Sequence, residues 1–428
     1  MSISNVAAIA PRSGGPLAGT LVLELCGDEP SGTFGTQILG DLGATVIKLE
    51  RIPTNSTIPI DPEAPISRDL AYFWGLNRNK LSASIDLKHA KGQVLLHDLA
   101  RVADVVYDNF RPEVMKRIGA DAETLRALNP SLICSSITGF GRSGPLGGKP
   151  AYDATIQALG GGMSLTGSTD PDRLPVRCGN PIGGIGGALF SVIGILAALA
   201  RKRRGVGQGA TLDLALLDIQ LAMHAYRVPP TLGSGLRYGP TPHRGGTGAL
   251  PYGPYRAACG RWFALGITGQ FWKKFCQLME HPEWADDPRF REEKDRQNNE
   301  NALNAFIADA MATRTADEWQ TRFIEEGIPG APVRSIQEAF QHPHVELRNM
   351  LPSFDHPVGK HLHVAGDPIK LSGHPNLPMS GAPGLGEHTQ LVLQRVLNYS
   401  NEHLKTLREE SVIWWPENGL VYQRPSVV

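Results

Sequence analysis

Arg51, Lys88, Asn109 and Arg117 are the residues of this chain whose types and spacing first suggest chemistry. Arg51 closes the run T-V-I-K-L-E, Lys88 follows I-D-L, Asn109-Phe110 follows V-V-Y-D, and Arg117 lies one helical turn beyond Pro112. A ligand built from an adenine, a ribose phosphate and a pyrophosphate needs dispersed cations, an amide and an apolar face, and this set supplies all three. Many nucleotide binders share such a composition, and an ordinary surface arginine is the plain alternative for Arg51. The first β-loop-helix carries Gly27, Gly32 and Gly35 without G-x-G-x-x-G spacing, so a dinucleotide fingerprint is weak here. A second glycine-rich stretch, from Tyr152 to Phe190, reads Y-D-A-T-I-Q-A-L-G-G-G and later V-R-C-G-N-P-I-G-G-I-G-G-A-L-F, with no acidic residue after Asp172.

The elements that would position these groups alternate along the first two hundred residues. Short β-branched runs at Thr20 to Leu25, Thr45 to Leu49, Ser82 to Leu87, Asp104 to Tyr107 and Leu132 to Ile137 predict strands. Amphipathic segments at Thr33 to Leu42, Ala90 to Arg101, Pro112 to Ile118 and Ala122 to Leu128 predict helices, with Gly43 and Gly119 as left-handed ends and Pro112 as a start. This alternation predicts an α/β protein with a doubly wound parallel sheet. A strand at Thr211 to Ala215 and a helix from about Leu217 to Arg227 follow. Then come a Gly/Pro-rich loop at 242–255, an aromatic segment from Trp262 to Phe275, and a charged helical run from Asp287 to Ala312 that reads as a solvated surface. The expected organisation is a large domain over 1–225, a small α+β domain over 226–335, and a linker with return to the large domain over 336–428. Strand-like alternation from Ser353 to Leu371 and a helix opening at Gly386-Glu387-His388-Thr389 mark that return.

Composition narrows the classes of function. The 428 residues carry 42 basic and 42 acidic side chains, which argues against a polyanion-binding surface, so no nucleic-acid partner is expected. Five scattered cysteines without a C-x-x-C pair read as reduced thiols of a cytoplasmic protein. The N-terminus lacks the basic start and apolar core of a secretory signal. Pro181 to Ala200 is uncharged and precedes Arg201-Lys202-Arg203-Arg204, imitating a membrane span, but Gly183, Gly184, Gly186 and Gly187 suit a loop and close packing. A buried helix from about Gly187 to Ala200 is expected, and no membrane contact. His342/His344 and His361/His363 stand without an accompanying carboxylate or thiol cluster, so no metal is predicted. There is no G-x-S-x-G elbow, and Cys178, the thiol nearest the glycine run, reads as a strand cysteine in a core. Trp414-Trp415-Pro416 could dock on a partner chain or pack on its own core.

Several runs carry a more specific resemblance: G-D-L-G-A-T-V-I-K-L-E-R (Gly40 to Arg51), F-W-G-L-N-R-N-K-L-S-A-S-I-D-L-K (Phe73 to Lys88), A-D-V-V-Y-D-N-F-R-P (Ala103 to Pro112), Y-D-A-T-I-Q-A-L-G-G (Tyr152 to Gly161) and G-E-H-T (Gly386 to Thr389). In order and across nearly the whole chain, these resemble the family III CoA-transferases, which include formyl-CoA transferase. The resemblance implies a large Rossmann-like domain, a small domain, and two chains interlocked as a dimer. It implies coenzyme A as the bound nucleotide, lined by Arg51, Ile85, Lys88, Asn109, Phe110 and Arg117 with Lys149 nearby, and a glycine loop of Gly245, Gly246 and Gly248 over the thioester. In that family an aspartate attacks the acyl-CoA thioester to give a mixed anhydride. The released thiolate then forms an aspartyl-CoA thioester, and the acceptor carboxylate reverses the sequence.

The resemblance breaks at one residue. Where the family places the nucleophilic aspartate, this chain has Gly184, the second of Gly183-Gly184. Three readings stay open. Asp153 takes over the attack; or the chain is the nucleophile-free subunit of a heteromer, as in benzylsuccinate CoA-transferase, with an Asp-bearing homologous partner; or it is a non-catalytic acyl-CoA-binding protein. The heteromer is the preferred expectation, with succinyl-CoA as donor and a substituted succinate or other carboxylic acid as acceptor.

Overall fold

The computed structural model describes residues 9, 14–54, 57–61, 63, 65–168, 170, 172, 174–241, 243–245, 248–356, 360–373, 379–417 and 419–423. The chain divides into two compact units, one of Met1–Gly161, Cys178–Val228 and Leu347–Val428, the other of Gly162–Arg177 and Pro229–Glu346.

The first unit is built on β1 (Leu21–Leu25), α1 (Pro30–Asp41), β2 (Thr45–Glu50), α2 (Arg68–Asn77), β3 (Lys80–Ile85), α3 (Ala90–Val102), β4 (Val105–Asp108), α4 (Pro112–Arg117), α5 (Ala122–Leu128), β5 (Ile133–Thr138), α6 (Asp153–Leu159), α7 (Ile182–Arg203), β6 (Ala210–Ala215) and α8 (Leu216–Ala222). Six strands pair in parallel in the order β3-β2-β1-β4-β5-β6. The order reverses between β1 and β4, and in open α/β sheets the crevice above such a reversal is where ligands bind. Central strands of this kind are covered on both faces, which is why β1, β3, β4 and β5 are buried along their whole length. Gly43 and Gly119 adopt the expected left-handed conformation, with φ of 95° and 67°.

Two expectations need correction. The glycine quartet is not a loop: α7 begins at Ile182 and carries Gly183, Gly184, Gly186 and Gly187 inside its first turns, all buried. Close packing selects them, because a β-carbon at Gly186 would stand 2.4 Å from Met223 Cε and one at Gly187 3.2 Å from Leu216 Cδ2. α7 is long and apolar enough to cross a membrane, but more than half of it is buried inside the protein, with Val192, Ile195 and Leu199 in a core cluster. Second, the helix expected to reach Arg227 ends at Ala222 and gives way to turns.

In the second unit β7 (Tyr252–Arg256), β8 (Trp262–Gly266) and β9 (Gly330–Pro332) form an antiparallel sheet in the order β9-β8-β7. It packs with α9 (Trp272–Leu278), α10 (Glu293–Asn298), α11 (Glu300–Met311) and α12 (Ala316–Glu325) around Phe263, Phe275, Phe290, Trp319 and Phe323. The charged run at 287–312 is therefore not simply a solvated surface. Leu303, Ile307 and Met311 face the core, and Arg296 is 2% exposed. Its guanidinium donates to the carbonyls of Leu250 (3.0 Å) and Phe290 (2.8 Å) and lies over the Trp272 ring, which offsets the cost of burying the charge.

The chain then returns through β10 (Ser353–His356) and β11 (Lys360–His363), an antiparallel pair, and through α13 (Thr389–Leu397), α14 (Asn401–Glu409) and β12 (Ile413–Trp414). β12 adds an antiparallel edge to β3. Trp415 packs on the core of the first unit with Arg408 over its ring at 4.2 Å, so it is used internally. His361 and His363 lie on β11, where His361 Nδ1 meets Asp355 Oδ1 at 3.0 Å. Among the described residues no group of three metal-ligating side chains occurs.

Candidate active site

The crest above the β1/β4 reversal is assembled by Asn109. Its Oδ1 accepts from Gly27 N at 2.9 Å, tying the loop after β1 to the end of β4 across the reversal. α1 starts immediately beyond, with Pro30 at its first position and Ser31 buried. Gly32 and Gly35 let α1 lie directly on the sheet: a β-carbon at 32 would stand 2.6 Å from Cys26 Cβ, and one at 35 would stand 2.2 Å from Tyr107 Oη. Tyr107 Oη in turn donates to Ser31 O at 2.9 Å. The non-fingerprint glycine spacing thus serves helix-on-strand contact.

Beneath the crest runs a buried charge network. Glu24 accepts from Lys48 Nζ at 3.0 Å and Thr36 Oγ1 at 2.6 Å, and pairs with Lys80 Nζ at 2.9 Å. Burial alone would raise the Glu24 pKa, but Lys48 and Lys80 outweigh it and hold it down to about 2. Lys48 also reaches Asp28 at 3.2 Å. At two further carboxyls at the strand ends burial wins: it pushes Glu50 up to about 7 against the lowering effects of Lys48 and Ser82, and Asp108 up to about 7 against those of Ser136 and Arg142. Sequence reasoning did not single out this network, whose Glu24, Lys48 and Lys80 sit on three strands and come together only in the folded sheet.

Of the residues expected to line the nucleotide site, Arg51, Lys88 and Arg117 are exposed at the ends of β2, β3 and α4, and Lys149 is exposed in the loop after β5. Ser84 Oγ donates to Arg51 O, and Lys88 N donates to Asp86 Oδ1 at 2.9 Å, so both backbones are fixed. Phe110 is partly buried against the core, whereas Ile85 is 1% exposed within it. The G-E-H-T turn clasps β3: Gly386 N donates to Ser82 Oγ, His388 N to Ser82 O, and Ser84 N to Thr389 Oγ1. Glu387 accepts from Gly384 N. These bonds, rather than helix capping, account for the Glu and the Thr, because His388 at the cap makes no side-chain cap bond. In the second unit Gly248 N donates to Gly245 O and Gln297 Nε2 to Gly248 O, each within 2.9 Å. Gly246 lies outside the described residues.

The glycine-rich stretch makes the decisive corner. Asp153 opens α6, and its Oδ1 accepts from Gly183 N at 2.7 Å while its Oδ2 accepts from Gln157 Nε2 at 2.6 Å. Gln157 Oε1 accepts from Cys178 N at 2.8 Å. Cys178 is therefore in an irregular segment held by a side-chain amide, not in a strand as expected. Gly184 is buried, and a β-carbon built on it would meet Ser31 N and Pro181 Cβ at 3.7 Å, ordinary contact distance. Residue 184 thus faces the start of α1, beside the loop that Asn109 ties down, and it has no side chain.

The family model for CoA-transferase family III matches residues 17–389. The chain belongs to CoA-transferase family III. It is 34% identical over 385 residues to acetyl-CoA:oxalate CoA-transferase of Acetobacter aceti, covering 87% of this chain and 94% of that protein. It is 34% identical over 393 residues to succinate–glutarate CoA-transferase of Agrobacterium fabrum, covering 90% and 96%. Among solved structures it is similar to a CAIB/BAIF family protein from Brucella suis, with TM-score 0.74, 31% identity, and 90% of this chain and all of that chain covered. Family III enzymes take CoA thioesters as substrates. Membership comes with the Rossmann-order sheet; at position 184 this family III chain carries glycine.

Proposed function

We propose that the chain is a subunit of a family III CoA-transferase that binds an acyl-CoA, with the nucleophilic aspartate supplied by a homologous partner chain in an interlocked dimer. The observation carrying this is the pairing of a side-chain-free residue 184 with an Asp153 whose two oxygens are both engaged. Arg51, Lys88, Asn109, Phe110 and Arg117 hold the nucleotide part of CoA, with Ile85 and Lys149 at its margin. On the partner, the aspartate attacks the thioester carbonyl and expels the CoA thiolate to give a mixed anhydride; the thiolate returns to the aspartyl carbonyl and releases the donor acid, the acceptor carboxylate displaces the thiolate to form a second anhydride, and thiolate attack on its acceptor carbonyl gives the new CoA ester and frees the aspartate.

The donor in this reading is succinyl-CoA and the acceptor a small carboxylic acid such as a substituted succinate, a reading supported by relatives that are named for oxalate and glutarate. Leu189, Phe190 and Ile193 on α7 expose an apolar stripe that suits burial against a second chain. The scatter of five cysteines without a C-x-x-C pair supports a reducing, cytoplasmic setting. The test is CoA transfer from succinyl-CoA by the purified chain, by an Asp-bearing homologue, and by the two expressed together. Transfer by the pair alone is expected. Transfer by this chain alone that disappears in Asp153→Asn would establish a self-sufficient enzyme instead, and CoA-ester binding without transfer in any mixture would leave a binding protein.

A further inference from the structure

Gln157 is 3% exposed, and it lies within the Y-D-A-T-I-Q-A-L-G-G run without a role assigned to it so far. Both ends of its amide are used, and in opposite senses. Oε1 accepts from Cys178 N, and Nε2 donates to Asp153 Oδ2. Asp153 passes the link on to Gly183 N, the neighbour of residue 184. The path Cys178–Gln157–Asp153–Gly183 ties both ends of the 178–183 segment to α6, and this segment delivers the chain into the first turn of α7. The first unit leaves off at Gly161 and resumes at Cys178, so the amide grips the chain at the residue where that unit resumes.

We propose that Gln157 is a positioning residue of the CoA-transfer site: its amide orients Asp153 as the cap of α7 and thereby sets where residue 184 faces Ser31. The inference rests on the family III reading of position 184. An amide is the one group of this length that can accept from a backbone N–H at one end and donate to an ionised carboxylate at the other. A leucine at 157 has the volume and neither bond. A glutamate keeps the bond from Cys178 N but turns the donor facing Asp153 into a second carboxylate, and two carboxylates at that distance must share a proton. A shift of about 1 Å in a reacting group costs about 100-fold in rate, which sets the expected scale.

The experiment uses the full chain with Gly184→Asp, acylated by succinyl-CoA in a single turnover and trapped with hydroxylamine. Adding Gln157→Leu is expected to slow acylation about 10- to 100-fold while the affinity for CoA changes less than about threefold. Adding Gln157→Glu is expected to slow it at neutral pH and to recover as the pH falls and the carboxylate pair takes up a proton, a dependence that a purely structural role would not produce. Unchanged acylation in both variants, or a parallel fall of rate and CoA affinity without pH recovery, overturns the proposal. Should Gly184→Asp alone form no adduct, the family reading of position 184 fails, and the positioning role that rests on it falls too. Amide hydrogen exchange on the unsubstituted chain then decides the latch itself: faster exchange at Cys178 and Gly183 in Gln157→Leu, with global stability unchanged, upholds it, and unaltered exchange at both refutes it.

Discussion

Asp153 Oδ1 stands 2.7 Å from the backbone nitrogen of Gly183, so this carboxylate is bonded to the immediate neighbour of Gly184. The N–H groups of a helix's first turn lack intrahelical partners, and Pro181 at the cap of α7 supplies no side-chain acceptor. Asp153 does that work from α6, with its charge at the favourable end of the α7 dipole.

Replacing Asp153 with alanine should therefore cost stability, about 1–2 kcal/mol by analogy with lost caps, read as a lower midpoint in denaturant unfolding. Because Asp153 does not contact the proposed nucleotide residues, CoA affinity measured calorimetrically should stay within about threefold of the parent.

Glycines that look alike in the sequence should differ when changed to alanine. At Gly184 the new methyl meets nothing closer than 3.7 Å and gains helix propensity, so Gly184→Ala should be neutral or stabilising by up to about 1 kcal/mol. At Gly35 the methyl would stand 2.2 Å from Tyr107 Oη, and at Gly186 2.4 Å from Met223 Cε. Gly35→Ala should be the more damaging, by about 1–3 kcal/mol, since Met223 is flexible and the Tyr107 hydroxyl is bonded to Ser31. Thermal unfolding of the three variants checks the order.

Stability should fall as pH rises from about 4.5 to about 7. Glu50 is held up from 4.5 to about 7 in the folded chain, and Asp108 from 3.8 to about 7, chiefly by burial. Each raised acid favours the fold fully below its unfolded pKa and loses that contribution as pH climbs through its folded value; for Glu50 this is about 3 kcal/mol. Glu50→Gln should flatten its share of the slope in unfolding curves across this window. Glu24 acts in the opposite sense, its contribution being lost only as pH falls below about 4.5 towards 2.

Nucleotide binding should depend on the three exposed cations at the ends of β2, β3 and α4. Arg51→Ala, Lys88→Ala and Arg117→Ala should each weaken CoA about 5- to 20-fold, with a loss that shrinks as salt is raised, because charge-assisted bonds to phosphate are screened when exposed. Titration at two ionic strengths measures both effects.

Much of the first unit was legible in the sequence. Each of its β-branched runs is a strand because parallel sheets bury both faces, and the caps at Gly43 and Gly119 fall where expected. What was hidden had a physical reason in each case. The glycine quartet at the start of α7 looked like a loop because its helical state is imposed by neighbours far along the chain, Leu216 and Met223. Arg296 looked solvated because its partners are carbonyl groups, which leave no trace in the sequence. That residue 184 is a glycine was visible in the sequence alone. The engagement of Asp153 was not, since it needs the amide of Gln157 and the N–H of Gly183 to be brought to the same carboxylate.

The proposed subunit binds an acyl-CoA yet has no nucleophile of its own. The most direct test is mass spectrometry of the purified chain after succinyl-CoA and hydroxylamine, beside Gly184→Asp. No hydroxamate is expected on the parent chain, and one is expected at residue 184 in the variant; an adduct on the parent, at Asp153 or any other carboxylate, would mean that the chain carries its own nucleophile.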